Sequence, residues 1–293
     1  MDTLVSTEWL NQHLDDSDLV VLDCSVYQEQ EEGGGFHNIS GRAKFDEGHI
    51  PTAGFADLKG ELCDTSSEIE FAVPTPEQFC SEIAALGVGD NSKVVLYDAS
   101  YSAWAARVWW MLRWIGFDNA ALLDGGLAAW VAEGRSLSTT PAPRESKKLT
   151  PKKLTPKPHP LLIADRDEVL ASIDNDAVDL IDTLPETFYR GEATLYARPG
   201  HIPSARNLCG LDLLDQSGHF RSEKELAVMH AGDRKTRTIT YCGGGIMASA
   251  NAFVMTRLGF TNVAVYTASL QEWAADPTTP MVVSEVRDAS VVE

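Results

Sequence analysis

Four blocks of this sequence occur twice and in the same order, and any fold assigned to it must account for that. "LVVLDCS" (19–25) is answered by "VDLIDTL" (178–184), "GHIPTAGFADL" (48–58) by "GHIPSARNLCGLDLL" (200–214), "KVVLYDAS" (93–100) by "TRTITYCGG" (236–244), and residues 106–130 by 248–273. The spacing between matched positions falls in steps: 159 from Asp23 to Asp182, 152 from Gly48 to Gly200, 144 from Tyr97 to Tyr241, 143 from Trp130 to Trp273. The first copy therefore carries extra loop residues between equivalent elements. In a chain of 293 residues, long for a single hydrophobic core, the repeat means two homologous domains.

Between the copies runs "TTPAPRESKKLTPKKLTPKPHP" (139–160), whose six prolines deny it helical or sheet hydrogen bonding and favour an extended path. The expected organisation is a first domain over 1–138, a linker over 139–160 and a second domain over 161–293. Each copy alternates short apolar, β-branched runs with helical periodicity. "LVVLD" and "KVVLYD" are expected as buried strands. "TPEQFCSEIAALG" has a Thr cap and a glycine stop, and in "SAWAARVWWMLRWIGF" positions 104, 108, 111, 112 and 115 recur at helical spacing before Gly116. Strand, helix, strand, helix predicts an α/β domain with a mostly parallel sheet flanked by helices, and ligands at the carboxyl ends of its strands.

Composition removes several classes of function. The formal charge of −19 repels nucleic-acid phosphates and anionic lipid, and no apolar run reaches the roughly 18 residues of a membrane span. The residues 141–160 carry +5, a basic strap against an acidic body. Five scattered cysteines without a CxxC pair speak against both a disulfide framework and a zinc site, and the start of the chain has no secretory pattern, so a cytoplasmic protein without metal is expected.

Cys242 follows the apolar run "RTITY" and precedes three glycines, which places it at a strand end before a helix expected to begin near Ala248. A thiol reacts as its thiolate, and free cysteine, with a pKa of about 8.5, is mostly protonated at neutral pH. The stretch Gly243, Gly244, Gly245, Ile246, Met247 and Ala248 can turn successive N–H groups and a helix N-terminus toward the sulfur, an anion cradle without charged side chains. No Lys-Ser/Thr pair follows the glycines, which excludes a nucleotide P-loop. Ala248 and Ser249 stand where a cysteine phosphatase would need an arginine. The first copy has Asp98 at the cysteine position and lacks the glycines, so only the second copy can be active. Tyr101 and Trp104 of the first copy could line the pocket; Cys24, Cys63, Cys80 and Cys209 read as small core residues.

Taken together, the doubled GHIP, "VVLYDAS…AARVWWMLRWIGF…LLDGGLAAW" and "TYCGGGIMASA…LGF…VYTASLQEW" resemble the tandem-domain rhodanese-like sulfurtransferases, which include thiosulfate and 3-mercaptopyruvate sulfurtransferases, over nearly the whole chain. The resemblance implies an inactive first and an active second α/β rhodanese domain, no cofactor, and ping-pong transfer. In that chemistry Cys242 takes a sulfane sulfur from a small anionic donor as a persulfide and passes it to cyanide or a thiol. It also implies a thioredoxin-like reductant as a partner, and a monomer. Mercaptopyruvate enzymes carry a hydroxyl where this chain has Gly244, and thiosulfate enzymes place basic residues in the loop; the loop matches neither, and thiosulfate is taken as the donor, with a 3-mercaptopyruvate sulfurtransferase as the alternative. The family's donor-holding arginine before the second GHIP is replaced by Thr187 or Phe188 in "ETFYRGEATLYARPGHIP", leaving Arg190, then Arg198, as substitutes. His49 and His201 are expected to be structural, with His49 the candidate for handling protons. A non-enzymatic persulfide relay is the alternative of another class.

Overall fold

The computed structural model describes residues 1–30, 36–140 and 152–284. The part of the expected linker at 141–151 lies outside the described residues. In the first unit the strands are β1 (Leu4–Val5), β2 (Leu19–Asp23), β3 (Val26–Gln30), β4 (Phe36–Ser40), β5 (Gly54–Phe55), β6 (Lys93–Tyr97) and β7 (Ala120–Leu123). In the second they are β8 (Ile163–Ala164), β9 (Val178–Asp182), β10 (Arg206–Asn207), β11 (Arg237–Tyr241) and β12 (Val263–Tyr266). One parallel sheet runs β5-β2-β6-β7-β1 and the other β10-β9-β11-β12-β8, so the two copies share one topology. The register repeats as well: Asp23 lies opposite Tyr97 as Asp182 lies opposite Tyr241.

The strands form where the sequence is apolar without alternation, as in Leu19–Asp23, every residue of which is buried, because helices cover both faces of the sheet. Thr75 caps the helix Pro76–Ala85 by accepting the Gln78 N–H at 3.2 Å, and Gly87, at φ 91°, follows its end. The extra residues of the first copy include the antiparallel hairpin β3–β4, and further on the loop from Asp57 to Pro74.

The helices Ala103–Trp114 and Ile246–Arg257, one from each unit, pack on each other, with Trp109 meeting Phe253 edge-on at 4.9 Å and 89°. Both rings are buried, and one hydrophobic core passes from Val20 through this contact to Trp273. Ile246–Arg257 is buried almost all round because its own sheet lies on one side and the other unit on the other. Beyond 151 the chain lies along the first unit, Lys157 and His159 donating N–H groups to Ile115 and Trp114 carbonyls. No helix among the described residues is long and apolar enough to cross a membrane.

Candidate active site

Strand β11 ends at Tyr241 and delivers Cys242 to the junction of the two units, with its residue 3% exposed. Its backbone is pinned on one side. The Cys242 N–H donates to Ser269 Oγ at 3.1 Å, while the carbonyls of Cys242 and Gly243 accept from the amides of Leu270 and Gln271 at 3.1 and 3.0 Å. In a trans peptide the carbonyl and the next N–H point opposite ways, so the amides of Gly243 and Gly244 face away from the helix Ser269–Trp273. The helix after the loop begins at Ile246, two residues earlier than the sequence suggested, because Gly245 takes φ 77° and turns the chain directly into it. Ile246, Met247 and Ala248 are thus its first turn, whose N–H groups have no intrahelical acceptor. Among the described residues no acceptor meets any amide from Gly243 to Ala248.

The equivalent loop of the first unit shows what such amides hold. Asp98 is 2% exposed, and its carboxylate accepts the N–H groups of Ser100 at 2.8 Å, Ser102 at 3.1 Å and Ala105 at 3.0 Å. This copy thus forms a cradle although it lacks the glycines. Ser102 adopts φ 60° without being glycine, and the cradle closes on the protein's own carboxylate. Burial raises the Asp98 carboxyl above the usual range, and the three N–H bonds work against that shift.

The glycines of the active loop are required by their neighbours. A Cβ at Gly243 would lie 1.5 Å from the Tyr196 hydroxyl, one at Gly244 2.5 Å from the Gln271 side-chain amide, and one at Gly245 2.7 Å from the Thr267 carbonyl and 2.9 Å from Arg107 Nη1. The place a hydroxyl at position 244 would fill is thus taken by Gln271, whose Oε1 also accepts the Glu70 N–H from the first unit at 2.8 Å. Glu70 itself is engaged by Lys59 at 2.6 Å and Asn38 at 2.7 Å. Phe71 packs on Trp104 with ring centres 5.0 Å apart, so the long loop of the first copy builds the opposite wall. Tyr101, on that side, is pushed up to about 12 by burial first and then by Asp98 and Cys242.

The sequence-derived candidates divide. Cys242 and Gly243–Ala248 come together as one loop. Arg198 does not join them: its guanidinium donates to the carbonyls of Trp273, Asp276, Ala274 and Thr279 and to the Thr279 hydroxyl at 2.6–2.9 Å, which ties down the chain after the last helix. Arg190 forms a surface ion pair with Glu186 one helical turn away rather than with the loop. His49 stacks on Phe45 at 4.0 Å, its ring nitrogens facing the Phe45 and Thr140 carbonyls at 2.8 and 3.1 Å. His201 repeats the arrangement on Tyr189 at 3.7 Å. Sequence reasoning missed Tyr196, Gln271, Ser269, Glu70 and Arg107. Only Arg107 carried a signal, a cation amid the apolar run "WAARVWW". Tyr196 is driven above the usual phenol range by burial and then by Cys242, and so stays protonated.

These two units are matched by the family model described as "Rhodanese-like domain", over residues 6–133 and 165–276, and the chain belongs to that family. It is 32% identical over 290 residues to the probable 3-mercaptopyruvate sulfurtransferase of Pseudomonas aeruginosa, covering 95% of this chain and 97% of that one. It is 30% identical to the thiosulfate sulfurtransferase of Gallus gallus, with 92% of each chain covered. Among solved structures, the 3-mercaptopyruvate sulfotransferase SseA of Escherichia coli superposes with a TM-score of 0.79 at 26% identity, covering 92% of this chain and 99% of that one.

Proposed function

We propose that this chain is a sulfurtransferase in which Cys242 takes a sulfane sulfur from a small anionic donor, holds it as a persulfide and passes it to a thiol or cyanide. The contrast between the two equivalent loops carries the reading. In the first, amides close on the Asp98 carboxylate; in the second, six successive amides follow the cysteine and have no acceptor among the described residues. Unpaired buried amides are costly, and a sulfur anion and the charge developing on a donor are what they suit.

In the first half-reaction the Cys242 thiolate attacks the donor's sulfur. A sulfur–sulfur bond forms, the donor's bond to that sulfur breaks, and its electron pair leaves with the remainder. An acceptor thiolate or cyanide then attacks the outer sulfur, and the Cys242 thiolate departs. We favour an α-keto thiol of the 3-mercaptopyruvate kind over thiosulfate. Its carbon leaving group takes the thiol proton and departs as the keto acid, and the protonated Tyr196 hydroxyl beside Gly243 can donate to its keto or carboxylate oxygen. Thiosulfate would release sulfite and bring a dianion to a loop that has no basic side chain of its own, with Arg190 and Arg198 engaged elsewhere and the single guanidinium of Arg107 beside it. The relatives named above as mercaptopyruvate enzymes support the same choice.

Intact-protein mass spectrometry after incubation with 3-mercaptopyruvate should show a gain of one sulfur, absent in Cys242→Ser. No gain with 3-mercaptopyruvate, thiosulfate or an organic persulfide would overturn the sulfurtransferase assignment. A higher kcat/KM for thiosulfate than for 3-mercaptopyruvate would overturn the donor alone.

A further inference from the structure

Arg107 lies on the helix Ala103–Trp114 of the unit that has no cysteine, and it is completely buried. Its Nη2 donates to the Phe71 carbonyl at 2.9 Å, and its Nε and Nη1 have no acceptor. Nη1 points at the active loop, 2.9 Å from where a Cβ at Gly245 would stand. The ionisable groups that bear on Arg107 are the thiols of Cys242, first, and of Cys63; no carboxylate is among them. Burial draws the guanidinium down to about 10, which leaves it cationic at neutral pH. A buried cation with unmet donors and no counter-carboxylate costs several kcal/mol unless an anion sits beside it.

The repeat sharpens the point. The position equivalent to Arg107 in the second unit, by the 143-residue offset, is Ala250. The guanidinium of the first unit reaches the loop that bears the cysteine, and the second unit has no cation at the matching position. We propose that Arg107 is the fixed positive charge that holds Cys242 sulfur in its anionic forms, thiolate before transfer and persulfide after it. The persulfide half of this statement rests on the sulfurtransferase reading; the thiolate half does not.

The test reads the sulfur directly and needs no donor. The second-order rate of Cys242 alkylation by iodoacetamide at pH 7, with Cys242→Ser as the blank, should fall about tenfold or more in Arg107→Met and recover to within about threefold of the parent in Arg107→Lys. Arg107→Met alkylating within twofold of the parent would overturn the proposal. Should Arg107→Met not fold, the parent decides: the ultraviolet thiolate absorbance it loses in Cys242→Ser should amount to at least about half an equivalent at pH 7, and under about a tenth, near the value for a free thiol, would overturn it. A protein that meets these expectations yet gains no sulfur from any donor leaves the role of Arg107 standing and removes the sulfurtransferase reading instead.

Discussion

At the scale of single residues, the site is made by contacts that the chain order hides. Gly243 is fixed by Tyr196, 47 residues earlier, whose hydroxyl occupies the space of a missing Cβ. Gly243→Ala is expected to lower kcat/KM about a hundredfold, because a shift of about 1 Å in the loop misplaces the sulfur. Steady-state kinetics beside the parent protein will show whether it does. Arg198 carries the opposite lesson. It looks like a ligand in the sequence because an arginine announces charge, whereas its acceptors are neutral carbonyls about 80 residues later that no local pattern reveals. Arg198→Ala should therefore lose about 2–4 kcal/mol of stability in urea denaturation while the folded fraction keeps its KM. An increased KM with unchanged stability would restore it as a donor ligand.

Elements explain why the fold was legible and the cradle only partly so. The buried strands and the helices ended by glycine are local patterns, and the repeat set each one beside a copy, so two like units follow from the paired blocks, whereas strand order and register come from pairings distant in the chain. The loop after β6 escaped because Ser102 takes a positive φ that sequence assigns to glycine, and its cost is met by the bonds to Asp98. Asp98→Ala strips acceptors from three amides and should destabilise the protein by about 2–3 kcal/mol, with Asp98→Asn costing less; chemical denaturation separates the two. The ends of the paired strands carry a second consequence. Burial raises Asp23 to about 6 and Asp182 to about 7, above their ordinary value near 3.8. Between those limits the folded state holds more protons than the unfolded one, so these groups favour folding at low pH and their contribution is lost as pH rises through 6 to 7. Asp182→Asn should gain stability over the parent at pH 8, with the difference shrinking toward pH 5. A gain that grows toward acid would contradict the burial argument.

For the molecule as a whole, the apolar seam between the helices Ala103–Trp114 and Ile246–Arg257 makes two domains by descent into one body in packing. Unfolding should follow a single transition by both tryptophan fluorescence and circular dichroism. Trp109→Ala, which removes a fully buried ring from that seam, should cost about 3–5 kcal/mol and split the transition if it uncouples the units. Sequence patterns cannot display such a seam, because both of its faces are apolar helices that look like ordinary core. The loop from Asp57 to Pro74 belongs to the copy with Asp98, yet its Glu70 N–H donates to Gln271 of the other unit and its Phe71 packs on Trp104. Duplication thus separated two tasks that a lone domain would have to satisfy with the same residues. On the proposed reading, the nucleophile sits in one copy while residues of the other wall its pocket, so which molecule is accepted can be altered from the half that lacks the cysteine.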